Sequence, residues 1–219
     1  MALEALKRNG HNLGLVDCET EGAFDIPVLC PVQLEQRLMW TSFNCANTTR
    51  NRALFGVHFF IDDYLFERAW HDPSRYAMLL KDFKAVMSPD FSLFTDYPKS
   101  VQIYNHYRKH LLAAYWQRMG MTVIPSICWS DHKSYDWCFS GEPHGSTVAV
   151  SSIGTQKNPQ ARAFFLDGYR EMLARLQPSK IIFFGDTPRE CDGNIEHHEA
   201  FYKAVHARRI TVDSSASQR

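Results

Sequence analysis

Ala85-Val-Met-Ser-Pro-Asp90 and Met121-Thr-Val-Ile-Pro-Ser-Ile-Cys-Trp129, the second followed by Ser130-Asp131, bracket a long helix-compatible run that opens at Tyr97-Pro98-Lys99 and stops at Gly120. Two apolar, β-prone segments joined by roughly 30 residues that contain a helix form the pattern of a parallel βαβ unit. In such folds ligands and catalytic groups gather at the carboxyl ends of the strands, where loops vary over a packed scaffold. Both segments run into an aspartate. Along the helix, Val101, Tyr104, Arg108, Leu111, Leu112, Tyr115 and Met119 recur at three- and four-residue steps, which predicts one packing face. Pro125 predicts a bulge or kink in the strand that follows.

The same alternation extends outward. Upstream, Val57 to Ile61 reads as a strand ending at Asp62-Asp63, and Asp72-Pro73-Ser74 opens a helix that carries Tyr76, Leu79, Leu80 and Phe83. Downstream, Ser134 to Phe139 reads as one helical turn and Thr147 to Val150 as a strand running into Ser151-Ser152-Ile-Gly154. Pro159 to Leu176 follows as an amphipathic helix, Lys180 to Phe184 as a strand ending at Gly185-Asp186-Thr187, and Ile195 to Arg209 as a last helix. Five strands alternating with helices of crossover length define an α/β fold with a mainly parallel sheet. A closed eight-stranded barrel needs about 250 residues, so the 219 residues of this chain favour a partial or distorted TIM-barrel-like arrangement, with an open doubly wound sheet as the alternative.

Residues 51–212 are expected to form a single α/β domain, residues 1–50 an irregular lead packed on its core, and residues 213–219 a frayed tail. Within the lead, Ile26 to Cys30 reads as a short edge strand, Gln33 to Trp40 as a short helix, and Asn44 to Asn51 as a solvated connector. Twenty-four basic residues balance twenty-four acidic ones, so no net field draws the chain to nucleic acid, which is not favoured as a partner. No apolar run reaches the roughly 18 residues of a membrane span. Six cysteines without a C-x-x-C spacing, and no apolar N-terminal leader, point to reduced thiols and a cytoplasmic setting.

The strand reading gathers Asp62, Asp63, Asp90, Asp96, Ser130, Asp131, Ser151, Ser152 and Asp186 on one rim. Carboxylates converging in a cleft can hold Mg2+ or Mn2+ through oxygen, or divide acid and base work between them. On this reading Asp62, Asp90 and Asp131 are the metal ligands and Asp63, Asp90 and Asp131 the catalytic groups. Tyr64, Trp129, Ser151 and Arg108 then contact the substrate. The competing structural reading is that each aspartate caps the backbone beside it. His106 and His110 stand four apart, the spacing of a two-histidine metal pair, but no glutamate follows His106 as H-E-x-x-H requires. His58 reads as a core histidine, Cys128 as a quiet buried thiol, and His197-His198 as a solvated helix start. The stripe of Tyr104, Tyr107, Arg108, Tyr115 and Trp116 has the composition to stack bases or sugars, although at helical spacing it reads first as core. G-x-G-x-x-G, G-x-x-x-x-G-K-[ST] and G-x-S-x-G are all absent, which argues against dinucleotide folds, P-loops and ordinary α/β-hydrolases.

His58-Phe-Phe-Ile-Asp-Asp-Tyr64, Ser88-Pro-Asp-Phe-Ser-Leu-Phe-Thr-Asp96, Gln102-Ile-Tyr-Asn105, Ala114-Tyr-Trp116, Val123-Ile-Pro125, Trp129-Ser-Asp131 and Val148-Ala-Val-Ser-Ser152 together resemble the domain of unknown function 4417 family of bacteria, phages and mobile elements. The likeness covers about residues 55–185 and implies a phage or mobile-element setting without naming an activity. Two functions of different class remain in view. One is a metal-assisted hydrolase or nuclease-like enzyme working on a phosphate- or sugar-bearing substrate. The other is a non-catalytic module that captures a host protein or a small phosphorylated ligand such as a signalling nucleotide, with Arg108, Lys133 and Arg189 meeting the anionic groups.

Overall fold

The structure, a computed structural model, describes residues 9–200. Strands β1 (Thr20–Glu21) and β2 (Ile26–Pro27) form a small antiparallel ribbon. Then β3 (Met39–Ser42), β4 (Phe55–His58), β5 (Ala85–Met87) and β6 (Val123–Ile124) pair in chain order as a parallel sheet. A second parallel sheet follows, of β7 (Thr147–Ser151), β8 (Lys180–Phe184) and β9 (Ile195–His198). The crossovers hold α1 (Glu67–His71), α2 (Pro73–Leu80), α3 (Lys99–Arg118) and α4 (Pro159–Leu176). The fold is therefore α/β with parallel strands, divided between two sheets.

Pro125 explains the division. Having no N–H, it ends the β6 ladder at Ile124, as the expected kink requires. Ser126 then leans both ways: its N–H and Oγ bond to Ser88 Oγ and O at 2.8 and 2.9 Å, while a parallel bridge joins it to Ala149 of β7. The two sheets meet at that seam. At their outer sides, the Trp40 ring of β3 lies edge-on to Phe184 and His198, at 6.3 and 6.4 Å. One hydrophobic cluster fills the first sheet and continues onto Ala149, Ile182 and Phe184, and a second lies between β7, β8 and α4.

Local chemistry accounts for the helix boundaries. Asp72 accepts from the Arg75 N–H and Asn158 from those of Gln160 and Ala161, each ahead of a proline in the first turn. Gly120, at φ +82°, follows α3 where only glycine turns without strain.

Three expectations need correction. Residues 33–40 are not helical: Leu34 and Leu38 are buried from a segment that leads into β3, and the connector Asn44 to Asn51, mostly exposed as expected, begins within a 3-10 helix, Phe43–Thr48. Ile195–His198 is a strand, because Glu196 finds Lys180 and His198, each at 2.7 Å, and so tolerates a sheet. The remainder of that expected helix, residues 201–209, and the tail lie outside the described residues. Finally, α3 has no single apolar face. Val101 and Met119 are exposed, whereas Asn105, His106, Arg108, Lys109 and His110 are buried, so its middle is enclosed on nearly every side. Trp116 stacks on Phe59 in the core, at 5.7 Å, which makes the stripe of α3 mainly packing.

Candidate functional site

The carboxyl ends of β5, β6 and β7 surround a cavity of about 370 Å³. Its walls include Phe60, Asp90, Cys128, Trp129, Ser151 and Asn158. Asp90 is placed by the loop after β5, and burial raises its carboxyl pKa from 3.8 to about 7. Lys109 nearby and a hydrogen bond from the Cys128 thiol pull the other way, and Asp63 adds to the rise. Oδ1 of Asp90 is enclosed and has no hydrogen-bond partner among the described residues. A carboxyl group that changes charge near neutrality beside a cavity can take or give a proton. Cys128 is held as a thiol, since burial lifts its pKa well above the ordinary range.

Trp129 forms the aromatic wall. Its Nε1–H donates to the Phe164 carbonyl at 3.1 Å and its ring lies 5.5 Å from Phe165. It can lie so close to α4 only because Gly168 has no side chain: a Cβ there would come within 2.2 Å of Trp129 Cδ1 and Nε1. Glycine to alanine inside a helix ordinarily gains up to about 1 kcal/mol. Here Gly168→Ala is expected to lose about 1–3 kcal/mol through overpacking and to move the indole into the cavity. Urea unfolding together with tryptophan fluorescence checks this, and a stabilised variant would show that the ring does not rest on the helix.

Of the residues picked from sequence, Asp90, Trp129, Ser130 and Ser151 line this cavity together. The others stand apart from it. Asp63 accepts from the N–H and Oγ of Ser92 at 3.1 and 2.8 Å, so it anchors the loop that follows Asp90. Asp131 accepts from the Lys133 N–H, a cap of its own turn. Asp62 and Tyr64 are exposed, Tyr64 at 75 %. Arg108 is buried, pairs with Glu67 and Asn105, and lies 3.9 Å over the Phe91 ring, which makes it part of the packing. Asp62, Asp90 and Asp131 do not form a ligand group among the described residues. The group that does is His106, His110 and Glu142, all buried.

Those three belong to a polar cluster against α3. Lys109 Nζ donates to Glu142 Oε1 at 2.5 Å and to the Ser126 carbonyl at 3.0 Å. His110 lies between the Pro27 carbonyl, 2.8 Å from Nδ1, and Glu142 Oε1, 3.0 Å from Nε2. His106 Nε2 bonds to the Ser140 carbonyl at 3.0 Å. Burial works against charge on Glu142, but Lys109 and His110 reverse this and hold its carboxyl below the usual range. Sequence reasoning found the two histidines by spacing and missed Glu142, which has no motif and stands 32 residues from His110. It also missed Lys109, because lysine on a helix ordinarily reads as solvated.

No helix among the described residues is long and apolar enough to cross a membrane. Known proteins add a context. The chain is 39% identical over 176 residues to the Gene 1 protein of Mycobacterium phage L5, covering 80% of this chain and 76% of that protein. It is 36% identical over 175 residues to the Gene 1 protein of Mycobacterium phage D29, covering 79% of this chain and 64% of that one. No solved structure matches. The model of the family described as Domain of unknown function (DUF4417) matches residues 18–201, and this chain, a phage-type protein by its relatives, belongs to that family.

Proposed function

We propose that the cavity at the ends of β5, β6 and β7 is the active site of a hydrolase, with Asp90 as general acid–base group and an uncharged, sugar-like or base-like substrate. One observation carries this reading: a carboxyl group with a pKa of about 7 and an unpartnered oxygen stands at a cavity walled by Trp129. Among the described lining residues there is no lysine, arginine or histidine, so these walls offer a phosphate beside Asp90 no cationic side chain. Lys133 and Arg189 are exposed and line no part of it. Trp129, Ser151 and Gln160 instead offer a stacking face and hydrogen-bonding groups, the usual means of holding a neutral polar ring. Metal assistance by Asp62, Asp90 and Asp131 has no place in this reading, since the three carboxylates do not share the cavity.

The test is a thermal-shift screen of uncharged nucleosides and saccharides against their phosphorylated counterparts, followed by mass spectrometry for product. Neutral compounds should raise the melting temperature and be turned over, with a rate that titrates near pH 7. Asp90→Asn should keep binding while losing about 10²–10⁴-fold in turnover. Binding without turnover would assign the cavity to a capture module. Shifts from phosphorylated compounds alone would overturn the assignment of substrate class.

A further inference from the structure

We infer that His106, His110 and Glu142 form a binding site for a divalent transition-metal ion, zinc by preference, that fastens the β1–β2 ribbon and the Ser140–Glu142 turn to α3. The three donor atoms lie within 4.8 Å of one another and every one of these side chains is buried. A carbonyl oxygen can only accept, so the bond to Ser140 requires the hydrogen of His106 on Nε2 and leaves a lone pair on Nδ1. By the same argument the bond to Pro27 places a hydrogen on Nδ1 of His110 and turns Nε2 toward Glu142. Each histidine therefore donates its outer N–H to a backbone carbonyl and presents its other nitrogen inward, the arrangement that orients imidazole ligands around a metal.

Two atoms of the cluster are buried without a hydrogen-bond partner among the described residues: His106 Nδ1 and Glu142 Oε2. Leaving both unsatisfied is costly in a protein interior, and an ion between them would satisfy both. Lys109 occupies Oε1 of Glu142, so the carboxylate has Oε2 for a one-oxygen bond. Two imidazoles with one carboxylate are a known zinc donor set that keeps a fourth position open. Tetrahedral ligands at zinc stand roughly 3.3 Å apart, so closing the site brings donors together by up to about 1.5 Å, and the proton between His110 Nε2 and Glu142 leaves as the ion binds. Gly141 makes the approach feasible, since a Cβ there would come within 2.5 Å of the Pro27 carbonyl and 2.9 Å of His110 Nδ1. The ribbon is already tied in by the Leu29 N–H on the Gly141 carbonyl, at 2.9 Å. This inference is independent of any activity at Asp90.

The test uses full-length, tag-free protein, produced with zinc or stripped by a chelator, with metal content measured by elemental analysis and cobalt(II) as spectroscopic probe. About one equivalent of zinc is expected, with a melting temperature about 5–10 °C above the stripped protein at saturating metal. Cobalt should give the visible absorption of a nitrogen- and oxygen-ligated site. His106→Gln and Glu142→Gln should each lose the ion, with near-ultraviolet circular dichroism reporting whether the fold persists. Should a variant not fold, the wild-type stoichiometry and cobalt spectrum decide alone. Metal content near zero with no thermal shift, or ion binding that survives both substitutions, would overturn the inference and leave a hydrogen-bonded cluster.

Discussion

Lys109→Met is expected to destabilise the protein by about 3–5 kcal/mol, the usual loss when one partner of a buried ion pair is removed. Lys109 is 1% exposed and the Glu142 side chain has no exposure at all. Burial alone would lower the lysine pKa, but the Glu142 carboxylate outweighs this and holds it above its ordinary value. Methionine fills much of the same volume, so packing changes little and the measured loss reports the charge left on Glu142. The Ser126 carbonyl at the sheet seam also loses its donor. In a chain of this size the change corresponds to a melting temperature lower by roughly 6–20 °C. The measurement is urea unfolding at neutral pH with a chelator present, which keeps any bound ion from masking the effect. Adding Glu142→Gln to Lys109→Met should recover part of the loss. A single-variant loss below about 1 kcal/mol would mean that the pair behaves like an exposed one and that water reaches it.

Much of this architecture can be read from local chemistry, because proline, glycine and caps act over a few residues. Asp72 ahead of Pro73, Asn158 ahead of Pro159 and Gly120 after α3 mark their boundaries without help from the rest of the chain. The rim rule, applied to β5 and β7, places Asp90 and Ser151 at strand ends, and both line one cavity. The failures share a cause in long-range partners. Strand β9 reads as a solvated helix start until Lys180 is known to reach Glu196. Strand β3 is concealed because Leu34 and Leu38, four apart, imitate a helix face while lying on a segment that is not helical. The buried polar cluster is the extreme case: Pro27, the neighbours Lys109 and His110, and Glu142 come from three separate parts of the chain, and none of these parts predicts the others. Aspartates could be placed at strand ends, but their tasks could not, since Asp63 and Asp131 serve backbone N–H groups that only the folded loops present.

Asp90→Asn is expected to stabilise the protein above neutral pH, the opposite of what removing a structural carboxylate would do. The folded-state pKa of Asp90, about 7, lies above the ordinary 3.8, so between those values the folded protein holds a proton that the unfolded chain releases. The contribution of this group to stability is therefore fully present below about pH 4 and declines as pH rises through 7. At 1.36 kcal/mol per pKa unit, the penalty at pH 8 is at most about 4 kcal/mol. Asp90 as a residue is only half-buried, although its Oδ1 is enclosed, which lowers the expected gain to roughly 1–3 kcal/mol. Asparagine has nearly the shape of the protonated acid, so at pH 4 the two proteins should unfold at nearly the same urea concentration, diverge up to about pH 7 and hold that difference at pH 8. Because Lys109 lowers the Asp90 pKa, Lys109→Met should make the Asp90→Asn gain larger, and a double-mutant cycle at pH 8 measures that coupling. A site selected only for stability would carry an amide here. Retaining a carboxyl group that weakens the fold near neutral pH is the pattern expected where the proton itself has a task. An Asp90→Asn variant with no gain at pH 8 would mean that the group is ionised and paired in the folded protein, and the case for acid–base work at the cavity would go with it.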